Sequence, residues 1–154
     1  MQRINIIAVG RLKDDFFEAA AAEYAKRLKA YCKLNIVEIP AGKLPDRPSE
    51  GDVKRALLYE EDKILKALPG GYTIALCIEG RRFSSEGFAG VINRPETLNF
   101  IIGGSYGLSE SLKRRADQRI SFSEMTFPHR LFRVMLLEQI YRGYKINNGG
   151  SYHK

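Results

Sequence analysis

Short, nearly uninterrupted apolar runs alternate along this chain with longer segments whose apolar residues recur every three or four positions. A short apolar run suits a strand covered on both faces, and the longer period suits an amphipathic helix. The alternation therefore predicts an α/β fold, a mainly parallel sheet with helices on both faces. The run from Arg3 to Val9, stopped by Gly10, reads as the first strand. Asp14 and Asp15 then open a helix on which Phe17, Ala20, Tyr24, Leu28 and Tyr31 share a face. Leu34 to Ile39 reads as the second strand, closed by Pro40, and Gly42, Pro45, Pro48 and Gly51 mark a long loop.

Ser49 and Asp52 approximate a capping box for a second helix carrying Val53, Leu57, Ile64, Leu65 and Leu68. After the turn Pro69-Gly70-Gly71, residues 72–78 are apolar enough to predict a central strand. Ser84 and Ser85 cap a short helix to Ile92, and Thr97 to Ile102 forms the fourth strand. Ser109 caps the next helix, residues 119–123 form the last strand, and the final helix begins after Pro128 and runs to about Ile146.

With 154 residues, 44% of them hydrophobic and 28% charged, the chain is expected to fold over residues 1–154 as one domain. No apolar run approaches the roughly 18 residues of a membrane span. The N-terminal run is too short for a secretion signal, so a cytoplasmic location is expected. Cys32 and Cys77 have no His or Cys near either, which suits neither a disulfide framework nor a zinc site; reduced thiols and no metal are expected. The net charge of +7 is unevenly spread, with nine Lys and Arg against three acidic residues in 113–154, but sixteen against fifteen in 1–112. The basic last quarter is either a nucleic-acid surface or a solvated helix face.

In open parallel sheets ligands gather beyond the carboxyl ends of the strands. After the fourth strand, Gly103, Gly104 and Gly107 leave the backbone bare, which fits a tight turn and also fits a ligand touching main-chain N–H and C=O groups. The run lacks the G-x-G-x-x-G order and a Walker lysine, which argues against ordinary phosphate cradling. After the fifth strand, Phe122, Met125 and Phe127 lie beside Ser123 and Thr126 in a loop. Alone they read as core plugs; together with the glycine loop and Leu76 they could wall an aromatic ligand such as adenine.

Three stretches carry a family resemblance: IIGGSYGL at 101–108, SFSEMTFPHRLFRVMLLEQIYRGYKI at 121–146, and the terminal Tyr152-His153. In this order, and with INIIAVGRLK near the start, the whole chain resembles the SPOUT methyltransferases, specifically the bacterial ribosomal large-subunit methyltransferase H family. The resemblance implies methyl transfer from S-adenosylmethionine to N3 of a pseudouridine in 23S ribosomal RNA on the assembled ribosome. It implies a homodimer with its site near the subunit interface. It also implies a C-terminal trefoil knot, which the element pattern alone would not reveal. Donor contacts carry over onto Leu76, Gly103 and the loop Phe122, Ser123, Glu124, Met125, Thr126 and Phe127. The stretch Phe88 to Pro95 is shorter than in typical relatives, so the helix after the third strand is expected to be abbreviated.

Methyl transfer from a sulfonium needs positioning and removal of the acceptor's N–H proton rather than a metal. The candidates for this chemistry are His129, Arg133, Arg142, Tyr152 and His153. His129 opens the last helix, and Arg133 one turn on suits an RNA phosphate or an ionised base. The resemblance implies that the Gly-rich tail orders over the base, with Tyr152 stacking or bonding and His153 near the proton. Leu131, Val134, Met135, Leu137, Ile140 and Tyr141 give the last helix more apolar surface than one sheet contact covers, which points to self-association. A non-catalytic RNA-binding or ribosome-assembly module would use the same basic segment, and a flavodoxin-like nucleotide-binding fold would share the alternation of elements.

Overall fold

The computed structural model describes residues 1–154 throughout. Its strands are β1 (Gln2–Val9), β2 (Cys32–Ile39), β3 (Tyr72–Arg82), β4 (Leu98–Ile102) and β5 (Gln118–Ser121). Its helices are α1 (Asp15–Leu28), α2 (Glu50–Ala67), α3 (Ser85–Ile92), α4 (Glu110–Arg115) and α5 (His129–Asn147). The strands form one sheet in the order β2-β1-β4-β3-β5 with every pair parallel. The sheet is thus wholly, not mainly, parallel. The middle place belongs to β4, buried along its whole length, whereas β3 is fully buried only from Ile74 to Leu76.

Alternate residues along the strands feed two cores. Ile4, Ile6 and Ala8 of β1 pack with Phe100 and with Leu28 of α1, Phe88 of α3 and Leu136 of α5. Ile7 and Val9 face the other way, toward Ile64 of α2 and Leu112 of α4. The helices therefore lie three on one face and two on the other. Asn5 breaks the apolar run of β1 for a reason visible only across strands. Its amide donates to Asn99 Oδ1 at 2.8 Å and accepts from Asn35 at 3.4 Å, while Asn99 donates to the Pro69 carbonyl at 3.1 Å. The three asparagines are register partners on β2, β1 and β4, so a one-residue slip would leave buried amides unpaired.

The helix starts follow the local chemistry. Ser49 and Asp52 form the full capping box of α2, and Ser84 and Ser109 each accept a backbone N–H at the starts of α3 and α4. α3 has only eight residues, yet Phe88, Ala89, Val91 and Ile92 are all buried, so its brevity does not impair its packing. α5 is wedged between α1 and α3, with Leu136, Leu137 and Ile140 inside the chain's own core. Tyr141 and Tyr144 pack against Tyr24 and Tyr31. Most of the apolar breadth that pointed to self-association is thereby covered within one chain. β5 lies outside β3, and α5 returns from it to the face of α1 and α3, an order consistent with a knotted C-terminus. No helix is long and apolar enough to cross a membrane.

Candidate active site

Beyond the carboxyl ends of β3, β4 and β5 the sheet opens into a cleft of about 860 Å³, where parallel sheets place ligands. One wall is the turn after β4. Gly104 and Gly107 bridge to each other, with Gly107 N–H donating to the Gly104 carbonyl at 3.0 Å. Gly107 sits at φ +75°, and a Cβ on Gly103 would lie 2.3 Å from the Gly107 carbonyl oxygen, so the turn closes only with glycine at both places. It is a tight turn and a wall of bare backbone at once.

The loop after β5 forms the opposite wall. Ser121 Oγ donates to the Ser123 carbonyl at 2.9 Å, and Met125 N–H donates to Ser123 Oγ at 3.0 Å. So folded, the loop sets Phe122, Ser123, Met125, Thr126 and Phe127 along the cleft. Rings of Phe88 and Phe132 hold Phe122, with centroids 5.9 and 4.7 Å away. Leu76, Ile102 and Ile120 complete an apolar floor, and Gly103 faces it. Glu124 does not line the cleft: its carboxylate turns outward to Arg82 at 3.3 Å, exposed to solvent.

The first turn of α5 closes the third side through Pro128, His129 and Phe132. Pro128 supplies no side-chain cap, so the first N–H groups of the helix stay uncapped beside the cleft. Burial, then the charges of Arg130 and Arg133, push the His129 imidazole below its usual pKa. His129 is therefore neutral at pH 7, with a lone pair free to accept a proton.

β3 contributes a feature that its sequence did not disclose. Ile120 is the register partner of both Leu76 and Arg81, so Cys77–Gly80 bulges out of the sheet before the strand resumes. The strand expected to end at Ile78 therefore reaches Arg82. The bulge brings Cys77, Ile78 and Glu79 to the cleft, and Lys113 of α4 meets Glu79 there. The signal available in sequence was Gly80 inside an otherwise strand-like run. No group of three or more potential metal ligands converges anywhere in the chain.

The other expected residues lie elsewhere. Arg133 is 4% exposed, its Nη1 donating to Glu38 at 2.7 Å and its Nη2 to the Gly10 carbonyl at 3.1 Å. Its terminal nitrogens here join α5 to the ends of β1 and β2. Arg142, Tyr152 and His153 gather around Glu138 of α5, which itself lines a second cleft of about 440 Å³ that shares Ile120, Ser121, Phe122 and Phe127 with the first. The Phe122–Phe127 loop thus separates the two clefts.

The tail is fixed rather than loose. The Tyr152 ring lies over Arg142 at 4.7 Å, and its hydroxyl donates to Glu138 at 3.2 Å. Burial, then the Glu138 charge, pushes that phenol up to about 12. His153 Nδ1 is 3.1 Å from Arg142 Nη1, and its Nε2 is 2.7 Å from Glu86. Because guanidinium only donates, Nδ1 accepts and Nε2–H donates to Glu86. Sequence reading missed Glu86 and Glu138; the latter stands four residues before Arg142, a spacing that announces a helical ion pair.

A family model described as "Predicted SPOUT methyltransferase" matches residues 2–153. The ribosomal RNA large subunit methyltransferase H of Clostridium tetani is 48% identical, over 98% of this chain and 99% of that protein. The protein of the same name from Clostridium botulinum is 47% identical over the same shares. Among solved structures, a probable methylase family protein from Haemophilus influenzae covers 99% of this chain and 71% of its own, with a TM-score of 0.59 at 11% identity. A probable methyltransferase from Bordetella pertussis covers 92% of this chain and 94% of its own, with a TM-score of 0.54 at 14% identity. These two likenesses speak to the fold. With glycine turn, aromatic loop and full-length likeness in agreement, the chain belongs to the SPOUT methyltransferase family.

Proposed function

We propose that this protein methylates large-subunit ribosomal RNA with S-adenosylmethionine as donor, at N3 of a pseudouridine in 23S RNA on the assembled ribosome, in the cytoplasm. The observation that carries the reading is the cleft between the bare Gly103–Gly107 turn and the Phe122–Phe127 loop. The residues present fit an adenosyl group: a Cβ at Gly103 would intrude on the turn, the floor is apolar, and main-chain groups supply the polar edge. Bound there, the donor would supply an electrophilic methyl carbon on a sulfonium.

The chain's own residues hold, exclude water and move a proton. Leu76, Gly103, Phe122, Ser123, Met125, Thr126 and Phe127 wall the donor, whereas Glu124 lies outside the cleft with its carboxylate on Arg82. Neutral His129, which lines the cleft, would take the proton of the acceptor's N3–H. Arg133 acts as a positioning residue, fixing the start of α5. Arg142, Tyr152 and His153 offer a cation, a ring and an imidazole for a splayed base and its phosphate. Since Arg142, Tyr152 and His153 do not line the donor cleft, a homodimer with its site near the subunit interface is part of the proposal.

The test is labelled methyl incorporation into ribosomes lacking the modification, with calorimetry of S-adenosylhomocysteine binding alongside. His153→Ala is expected to lower methyl transfer while leaving donor-product affinity unchanged. A wild type that binds no adenosyl compound, or a His153→Ala that transfers methyl at the parent rate, would favour a non-catalytic RNA-binding role.

A further inference from the structure

Glu79 is the one carboxylate among the side chains lining the larger cleft, and Lys113 the one ammonium. Glu79 reaches the cleft through an excursion that the sheet maintains. The chain leaves β3 at Leu76 and rejoins at Arg81, both opposite Ile120. A Cβ on Gly80 would lie 2.6 Å from the Ile120 carbonyl carbon, so rejoining requires glycine at the foot of the bulge. From α4, Lys113 grips the Glu79 carboxylate and also Glu110 at 2.9 Å. The Lys113 side chain is 10% exposed, whereas that of Glu79 is 50% exposed. The lysine is thus sunk and fixed, and the carboxylate is presented.

We propose that Glu79, carried on the β3 bulge and held by Lys113, accepts hydrogen bonds from the ribose hydroxyl pair of the adenosyl donor. This rests on the donor reading of the cleft and names one side chain that recognises the nucleoside. A carboxylate has about four lone-pair positions, and the lysine occupies only part of them. The hydrogen bond from Lys113 also holds the Glu79 carboxyl below its usual range, so it stays ionised near neutrality. With its charge already offset by a buried ammonium, it suits neutral hydroxyl donors better than the α-ammonium of the donor, which Lys113 would repel.

The experiment is calorimetry with S-adenosylhomocysteine and its 2′,3′-dideoxy ribose analogue, on the full-length wild type, Glu79→Ala and Lys113→Met. Glu79→Ala is expected to weaken the parent ligand by about ten- to a hundredfold, the range for a hydrogen bond to a charged group, and the dideoxy analogue far less. Lys113→Met should give a smaller loss with the same dependence on the hydroxyls, which a general disturbance of the fold would not produce. Equal losses for both ligands, or an unchanged affinity of Glu79→Ala for the parent, would overturn the ribose assignment while leaving the donor site standing. A wild type that binds neither ligand would overturn the donor reading and this assignment with it.

Discussion

Replacing Arg133 by Met separates a structural arginine from a catalytic one. Its guanidinium is buried and spans Glu38 at 2.7 Å and the Gly10 carbonyl at 3.1 Å. Breaking a fully buried ion pair costs about 3–5 kcal/mol. The Glu38 side chain is 38% exposed, so water recovers part of that, and about 2–3 kcal/mol is the expected loss. For a domain of this size that lowers Tm by about 4–12 °C. Glu38→Gln should cost less, and the double variant should fall short of the sum of the two. Burial pushes the Glu38 carboxyl up, but hydrogen bonds from Arg133 and the Leu12 N–H outweigh it and leave the carboxyl below its ordinary value of 4.5. A carboxyl lowered on folding stabilises the protein above its unfolded pKa and loses that contribution as pH falls through the folded one. The Tm gap between parent and variant should therefore close as pH drops below about 4.5. Thermal unfolding across pH, with methyl transfer measured where both proteins are folded, is the assay. An unchanged Tm with abolished transfer would refute this reasoning and return Arg133 to the chemistry.

Gly103→Ala places a methyl 2.3 Å from the Gly107 carbonyl oxygen; strain of about 1–3 kcal/mol in the turn should weaken adenosylhomocysteine binding about tenfold or more, as calorimetry would register. The His129 ring should titrate below 6.5 by proton NMR, and Arg130→Gln should raise it by removing one of the depressing charges. Because folding favours the neutral imidazole, its contribution to stability is complete above the unfolded pKa and fades as pH falls through the folded one. The acid limb of the methyl-transfer rate should lie in the same window, and a limb above 6.5 would remove His129 as the base. Asn99→Val strands the Asn5 amide and the Pro69 carbonyl, so a loss of about 2–3 kcal/mol in chemical denaturation is expected; an unchanged midpoint would deny the asparagine ladder any role.

Much of this molecule is legible before folding. Strand and helix succession, the serine caps at Ser49, Ser84 and Ser109, and the cleft-lining loops after β4 and β5 all follow from local signals acting over a few residues. Eight of the thirteen residues expected to act line the larger cleft, because carboxyl ends of parallel strands converge whatever their order. The partner of Arg133 was not legible, because an arginine one turn beyond His129 reads the same whether a phosphate or Glu38 awaits it. Glu138 and Glu86 went unnoticed because their partner is a tail that only packing brings back to α5 and α3.

By itself the sequence determined period, polarity and caps, hence an α/β chain with helices on both faces and a glycine turn beside an aromatic loop. Only the tertiary structure decided that β4 takes the middle, that Asn5, Asn35 and Asn99 form one ladder, and that β3 bulges to bring Glu79 to Lys113. The division has one physical cause. Propensity and periodicity are settled between residues close in the chain, whereas strand order, register and the pairing of buried charges are settled between residues far apart in it, and no local pattern encodes which distant partner will arrive.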